Sequence, residues 1–359
     1  MKKKIFAVSD IHGHAQILKD ALAKAGFDPK NSDHLLVVCG DCFDRGTENR
    51  GVLEYLTSVA NKIIIRGNHE DMLESAMENR MITYNDVRNG TDITLEDFFG
   101  AGCIDRSGRL NLFGREVMLK VLKRFLDGMV DYYETENYIF VHGWLPIEAV
   151  NDGYTVYPLW KTSTRSDWYS ARFNGWNVAY KAGILHEKKT IVCGHRFARY
   201  GYVFDTGRSS TCDDIFKGDR VIAIDGATVI SKQINVLVIE DEEIPNVKEH
   251  RMHLVPEMFE KIATEGKTVE LRLYDEKRKS ISSGDLIEFI NENNGERARV
   301  RVKGTYLYKD FSELIQEFDA AELGFGGCTQ EEILVALRRF YSGAKVLERG
   351  AFAIRFHIE

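Results

Sequence analysis

The chain has 359 residues, 44% of them hydrophobic and 29% charged, with a formal net charge of −7 at pH 7. That length points to two domains with sizeable cores. The acidic balance excludes a bulk pull toward nucleic acid or anionic membranes, while leaving room for a local basic groove. No apolar run in the sequence approaches the roughly 18 residues of a membrane-spanning helix, so no membrane partner is expected.

The opening MKKKIFAVSDIHG begins with basic residues, but its apolar stretch is too short for a signal peptide and Asp10 closes it. Ile5–Val8 reads instead as a buried first strand. In HAQILKDALAKAGF, Ile17, Leu18, Ala21 and Leu22 share one helical face. A strand at Leu35–Cys39 follows, then helical NRGVLEYLTSVA, a strand at Lys62–Arg66 and helical EDMLESAMENRM. Residues 80–130 interrupt the alternation and read as a helical insertion, with MLKVLKRFLDGMVDYYE its clearest helix. The turn RNGTD is expected near a cleft, and the aromatic stretch Trp160–Trp176 is expected to pack. Later strands are expected at Tyr138–His142, Thr190–Cys193, Arg220–Asp225 and Val236–Ile239. Short β-branched runs alternating with helical patterns predict a layered α/β fold.

A change of composition at EDEEIPN marks 241–246 as an acidic linker between a domain at 1–240 and another at 247–359. The second segment predicts a helix in VPEMFEKIATEG and strands in TVELRLY, DLIEFI and RARVRVKGTYLY. It continues with helical DFSELIQEF and TQEEILVALRRFY and a final strand in FAIRFHI. The six cysteines have no zinc-finger spacing. Without an export signal they are expected as free thiols in a reducing cytoplasm.

GDCFDRG places Asp41, Asp44 and Arg45 at the mouth of a buried strand, more negative charge than one arginine neutralises. Other strand ends are similar. AVSDIHG supplies Asp10 and His12, IIIRGNHE supplies Asn68 and His69, IFVHGWLP supplies His142 and IVCGHRF supplies His195. In α/β sheets the carboxyl ends of strands converge on one crevice. Carboxylate, amide oxygen and imidazole together suit Mn, Fe or Zn better than Ca, and the lack of cysteine disfavours a structural zinc.

The series SDIHG…GDCFDRG…RGNHE…VHGWLP…CGHRF resembles the calcineurin-like metallophosphoesterases, and among them the bacterial and phage phosphoprotein phosphatases. The resemblance implies a four-layer β-sandwich flanked by helices over about residues 1–240. It implies one divalent cation on Asp10, His12 and Asp41 and a second on Asp41, Asn68, His142 and His195, with Mn foremost and Fe, Zn or Ni as alternatives. Asp41 then bridges, and a water shared between cations is held as hydroxide for in-line attack on phosphorus. His69 matches the general acid, Asp44 its orienting partner, and Arg45, Arg66 and Asn68 the phosphate-binding groups. A further phosphate arginine is expected in or near LWKTSTRSDWYSARFNGWN, with Arg172 as the choice and Arg165 and Arg196 as alternatives.

EGKTVELRLYDEKRKSISSGDLIEF, with the rest of the chain, resembles the ASCH domain, a PUA-like β-barrel. Its signature falls on Gly266, Lys267, Glu270 and Arg272, which would form a small polar cleft for RNA or a nucleotide. RARVRVKG offers a local basic strip. The leading expectation is therefore a cytoplasmic phosphatase of phosphomonoesters, foremost protein phosphoserine and phosphothreonine. Alternatives are a hydrolase of dinucleoside polyphosphates or RNA-end phosphates, or an RNA-binding module with a regulatory phosphatase half.

Overall fold

The computed structural model describes residues 2–207, 210–264 and 266–358. Two compact units emerge, Met1–Val156 with Tyr169–Pro245, and Tyr157–Trp168 with Asn246–Glu359. The segment 157–168 thus joins the second unit, a detour that composition alone does not signal.

In chain order the first unit's strands are β1 (Lys2–Val8), β2 (His34–Cys39), β3 (Lys62–Ile65), β4 (Tyr133–Glu134), β5 (Tyr138–Phe140), β6 (Ile147–Val150), β7 (Gly153–Val156), β8 (Thr190–Cys193), β9 (Phe216–Gly218), β10 (Val221–Ala223) and β11 (Leu237–Glu243). One sheet has the order β11-β1-β2-β3 and a second has β4-β5-β8-β10-β9, while β6 and β7 form a hairpin. Alternation along β1 and β2 builds the layers. Ile5, Ala7, Leu35, Val37 and Cys39 pack with Phe140, Val192 and Ile222 of the second sheet. Phe6, Val8, Leu36 and Val38 join the other core, under helices α1 (Ala15–Lys24), α2 (Asn49–Ser58), α3 (Asn68–Asn79), α5 (Thr91–Phe99) and α6 (Glu116–Asp127), with the short α4 (Tyr84–Asn89) connecting α3 to α5. A sheet buried on both faces needs near-continuous apolar strands, which is why HLLVVC reads as one run. On the far side of the second sheet, Trp176, Tyr180 and Tyr202 surround Phe216. Trp160, Trp168 and Trp176 are all buried, as packing residues should be.

Two boundaries differ from expectation. The helix in MLKVLKRFLDGMVDYYE stops at Asp127, because Gly128 caps it and Val130 then donates to the Ile64 carbonyl at 3.0 Å, drawing the chain alongside β3. The segment read as linker is partly strand. Glu242 and Glu243 pair with Lys3 and Lys2 of β1, and the Glu242 carboxylate accepts from the Asn137 backbone at 3.0 Å. The charges of this stretch look like loop in the sequence, but Glu242 and Glu243 extend the sheet.

The second unit contributes β12 (Glu249–Leu254), β13 (Val269–Leu273), β14 (Leu286–Asn291), β15 (Arg297–Tyr308) and β16 (Ala351–Ile358), in the order β12-β14-β15-β16-β13. The sheet is a half-barrel around Met252, Leu254, Ile287, Phe289, Val300, Val302, Phe352 and Phe356. Helical DFSELIQEF shrinks to Phe311–Leu314, while β12 and a helix at Gly343–Arg349 are elements that the sequence reading lacks.

Candidate metal centre

β1, β2, β3, β5 and β8 all end on one point of the first unit, and the backbone there is contorted. Of eleven described non-glycine residues with positive φ, six are Asp10 (51°), His12 (48°), Asp41 (53°), Asp44 (71°), Arg45 (67°) and His195 (63°). Left-handed geometry at such residues costs on the order of 1–3 kcal/mol each, and it concentrates where function over-determines the loop. The approach is close. A Cβ on Gly194 would lie 1.7 Å from Ser9 Oγ and 2.3 Å from Asp10 Oδ2, so only glycine lets His195 come beside Asp10.

The side chains meet around Asp41. His142 Nε2 is 3.3 Å from Asp41 Oδ1 and 2.9 Å from Asn68 Oδ1, and His12 Nε2 is 3.8 Å from both Asp41 Oδ2 and Asp10 Oδ1. Asp10 Oδ2 accepts from the His195 backbone at 3.0 Å and from Ser9 Oγ. Ligand atoms of Asp41, His142 and His195 all lie within 4.8 Å of one another, as do those of His12, Asp41 and His69. This set fits divalent cations on a further ground. His12 Nδ1 donates to the Phe43 carbonyl at 3.0 Å, His142 Nδ1 to that of Cys39 at 2.8 Å, and His195 Nε2 to that of Phe173 at 3.2 Å. Each ring thereby has one nitrogen held by a backbone carbonyl and the other turned toward Asp41, the orientation metal-binding imidazoles adopt.

Charge balance agrees. Burial favours the neutral Asp41 acid, but His142, His69 and His12 outweigh it and hold the carboxylate well below its usual range. Burial likewise works against a charged His142, yet Asp41 and then Asp10 push its pKa up to about 10. Burial, then the charge of Asp41, raises Asp10. His12 is held well below its ordinary value by burial and by His69. A site that draws protons to compensate its carboxylates is one that cations can compensate instead.

Beside this cluster, His69 Nδ1 donates to Asp44 Oδ2 at 2.8 Å, and its Nε2 faces Asp41 Oδ2 at 3.9 Å. Arg45 spans the two imidazoles, with Nη1 3.0 Å from His12 Nε2 and Nη2 3.1 Å from His69 Nε2. Arg66 and Arg172, both buried, share Asp71. Arg66 Nε donates to Asp71 Oδ1 at 2.5 Å, and Arg172 Nε donates to Oδ2 at 2.6 Å. Arg66 also pairs with Glu74, and Arg172 Nη1 with Asp131 at 2.8 Å. Arg66 Nη1 is buried without a hydrogen-bond partner among the described residues. Arg196 is exposed, and Arg165 lies in the second unit, bonded to the Glu317 carbonyl at 3.1 Å.

Several residues of the centre carry no role in the sequence reading. Glu70 is fully buried and accepts from the backbones of Asp41, Cys42 and Gly67 at 3.0, 2.8 and 2.9 Å, pinning two strand-end loops together. Thr91 and Thr94 donate to Asp44 at 2.8 and 2.7 Å, so RNGTD opens α5 and braces Asp44. Asp225 is buried at the end of β10, and burial with the charge of Asp10 raises its carboxyl well up. Its signal was available: IAIDGA is one more apolar strand ending in an acid and a glycine.

Residues 3–224 match the family described as calcineurin-like phosphoesterase. The chain belongs to that family. Such a calcineurin-like phosphoesterase is a phosphoester hydrolase that uses divalent cations, and the His and Asp groups above are where this chain can hold them. Residues 252–357 match the ASCH domain. Serine/threonine-protein phosphatase 1 of Salmonella typhimurium is 39% identical over 70 residues, 20% of this chain and 31% of the relative. Serine/threonine-protein phosphatase 2 of Escherichia coli is 40% identical over 76 residues, 21% of this chain and 34% of the relative. This calcineurin-like phosphoesterase therefore spans about a third of the length of the curated relatives it matches. A Pyrococcus furiosus protein solved by NMR is 35% identical, with 31% of this chain and 96% of that chain covered and a TM-score of 0.27. No described helix is long and apolar enough to cross a membrane. All six cysteines are free, four of them buried.

In the ASCH unit, Lys267 and Glu270 are buried and Arg272 is half-buried. Glu270 lies between the two cations, 3.2 Å from Lys267 Nζ and 2.5 Å from Arg272 Nη1. Lys267 Nζ also donates to the carbonyls of Val269 and Leu323 at 2.7 and 3.1 Å. Burial lowers the Lys267 pKa against the pull of Glu270. These three line a cavity of about 480 Å³ with apolar walls that include Leu254, Met258, Phe325 and Phe340.

Proposed function

We propose that the first unit hydrolyses phosphomonoesters with two divalent cations, and that its substrates are phosphoserine and phosphothreonine in proteins. The observation that carries this reading is the convergence of five strand ends on Asp41. Asp10, His12 and Asp41 would hold one cation, and Asp41, Asn68, His142 and His195 the other. Cations bound there would activate a water and neutralise a phosphoryl group. Arg45 supplies a planar, permanently charged fork for phosphoryl oxygens. Asp44 fixes the Nδ1 proton of His69, so the proton His69 can release sits on Nε2, where a leaving oxygen would receive it. Burial lowers the pKa of that imidazole, but Asp41 and Asp44 outweigh it and raise the value above the ordinary one. Arg66 and Arg172 already carry carboxylate partners, so they contribute less charge to phosphate than Arg45, with Arg66 Nη1 as the remaining donor.

The names of the two bacterial relatives support protein phosphoester substrates. Manganese-loaded full-length protein should hydrolyse p-nitrophenyl phosphate, Asp41→Asn should abolish that activity, and phosphopeptide should be turned over faster than diadenosine tetraphosphate or phosphate-ended RNA. Equal aryl phosphate rates in wild type and Asp41→Asn would sink the reading. A peptide rate at background would transfer the site to the nucleotide substrates.

The cavity favours a second reading for the other unit. Glu270, Arg272 and apolar walls suit one nucleotide or RNA base, the carboxylate accepting from base N–H groups and the guanidinium meeting carbonyl or phosphate oxygen. Titration with the four ribonucleoside monophosphates tests it, and no saturable binding of any would refute it.

A further inference from the structure

The outer face of the ASCH sheet is built unlike the rest of this acidic chain. Its core side takes Met252, Leu254, Phe289, Val300 and Val302. By alternation Glu249, Arg251 and His253, then Glu288 and Ile290, then Arg297, Arg299 and Arg301 share the opposite face. Register confirms rows across the sheet: Arg251 stands opposite Glu288, which stands opposite Arg299, and His253 stands opposite Ile290, which stands opposite Arg297. Among the described residues of these three strands, that face carries four arginines against two glutamates.

The glutamates do not cancel it. Arg251 and Arg297 both lean on Glu288 at 3.1 Å, and Arg299 on Glu249 at 2.6 Å. The three arginine side chains stay 73%, 60% and 56% exposed, where such pairs are weak and readily exchanged for another anion. Arg297, Arg299 and Arg301 recur along β15 at about 6.8 Å, a step that an extended backbone of phosphates can follow.

This face also runs into the cavity. His253 belongs to the outer row and lines the pocket, and Lys277, another lining residue, donates to the Arg251 carbonyl at 3.1 Å. Phe340, 62% exposed, lines it too and offers a ring face. We propose that the arginine face is the track for a single nucleic-acid strand, one base of which turns off the track and into the adjoining cavity against Phe340. The proposal rests on the reading of that cavity as a base site. Phosphate contacts would set affinity and position, and stacking would hold the turned base.

Fluorescence anisotropy of the full-length protein with labelled mixed-sequence oligonucleotides, in RNA and DNA arms across a salt series, tests this. If three phosphates are neutralised, log K falls against log salt with a slope of about −2, and Arg297→Gln/Arg299→Gln flattens it by about 1.4. Phe340→Ala weakens strand binding by between roughly 5- and 150-fold. Monophosphate binding, which uses the cavity alone, stays unchanged in the arginine variant. Strand binding with an unaltered slope in that variant would overturn the track while leaving the base site standing. Binding of neither strand, with monophosphates still bound, would do the same, and binding of nothing would end both. Preference for the RNA or DNA arm names the polymer, and either supports the track.

Discussion

At the scale of single residues, the most informative contact is the one between His69 and Asp44. The carboxylate accepts from His69 Nδ1, Thr91 and Thr94 together, so its orientation is set by three donors. If His69 protonates the leaving oxygen, its value depends on how much the leaving group needs a proton. His69→Asn should therefore cost about 10²–10⁴ in kcat with an alkyl phosphate and far less with p-nitrophenyl phosphate, whose phenolate departs readily. Equal losses on both substrates would instead make His69 a binding residue. Asp10, Asp41, Asn68, His142 and His195 were legible because each follows a strand in a recognisable motif. Thr91 and Thr94 were not, since a threonine in a helical insertion has nothing local to mark which carboxylate it reaches. Glu70 stood inside a recognised motif, yet its three backbone partners come from loops brought together only by the fold.

Among elements, α3 carries the heaviest electrostatic duty. Asp71 joins Arg66 at the end of β3 to Arg172, on the helix Arg165–Phe173, and all three are nearly excluded from water. Breaking a buried pair from one side leaves the partner charge uncompensated, so Asp71→Asn should destabilise the first unit by about 3–5 kcal/mol in urea unfolding. The pH dependence has a definite sign. Burial would raise the Asp71 pKa, but Arg172 and Arg66 lower it below 3.8. Its contribution is complete above that value and is lost as pH falls through the lowered folded pKa. The gap between wild type and Asp71→Asn should thus be flat from neutrality to about pH 4 and close below it; a gap that closes already between pH 7 and 5 would assign the effect to another group. Element legibility followed the same logic. Fully buried strands such as β2 announced themselves by composition. β12 did not, because Arg251 and His253 alternate with core residues in a run that looks polar. The end of α6 depended on Gly128 and on a pairing with β3 across many residues of sequence.

For the whole molecule, the two units have separate cores, and among the described residues the cluster of buried acids around Asp41 belongs to the first. Asp10, Asp41, Glu70 and Asp225 are all nearly inaccessible to water, and Asp10, His12, Asp41 and His195 sit on left-handed backbone. Such a loop system is held against repulsion and strain, and cations that bind only the folded form shift its equilibrium by mass action. At a hundredfold excess over Kd a single site adds about 2.7 kcal/mol, which for a unit of this size is a rise in melting temperature of about 5–10 °C. Chelation should therefore lower one of two calorimetric transitions by about that amount, reversibly on adding Mn, and leave the ASCH transition in place. Asp41→Asn should abolish the metal-dependent shift without moving the second transition. A chelator that lowers both transitions equally would mean that the units unfold as one, and a shift that survives Asp41→Asn would place the stabilising cation away from the strand ends that converge on it.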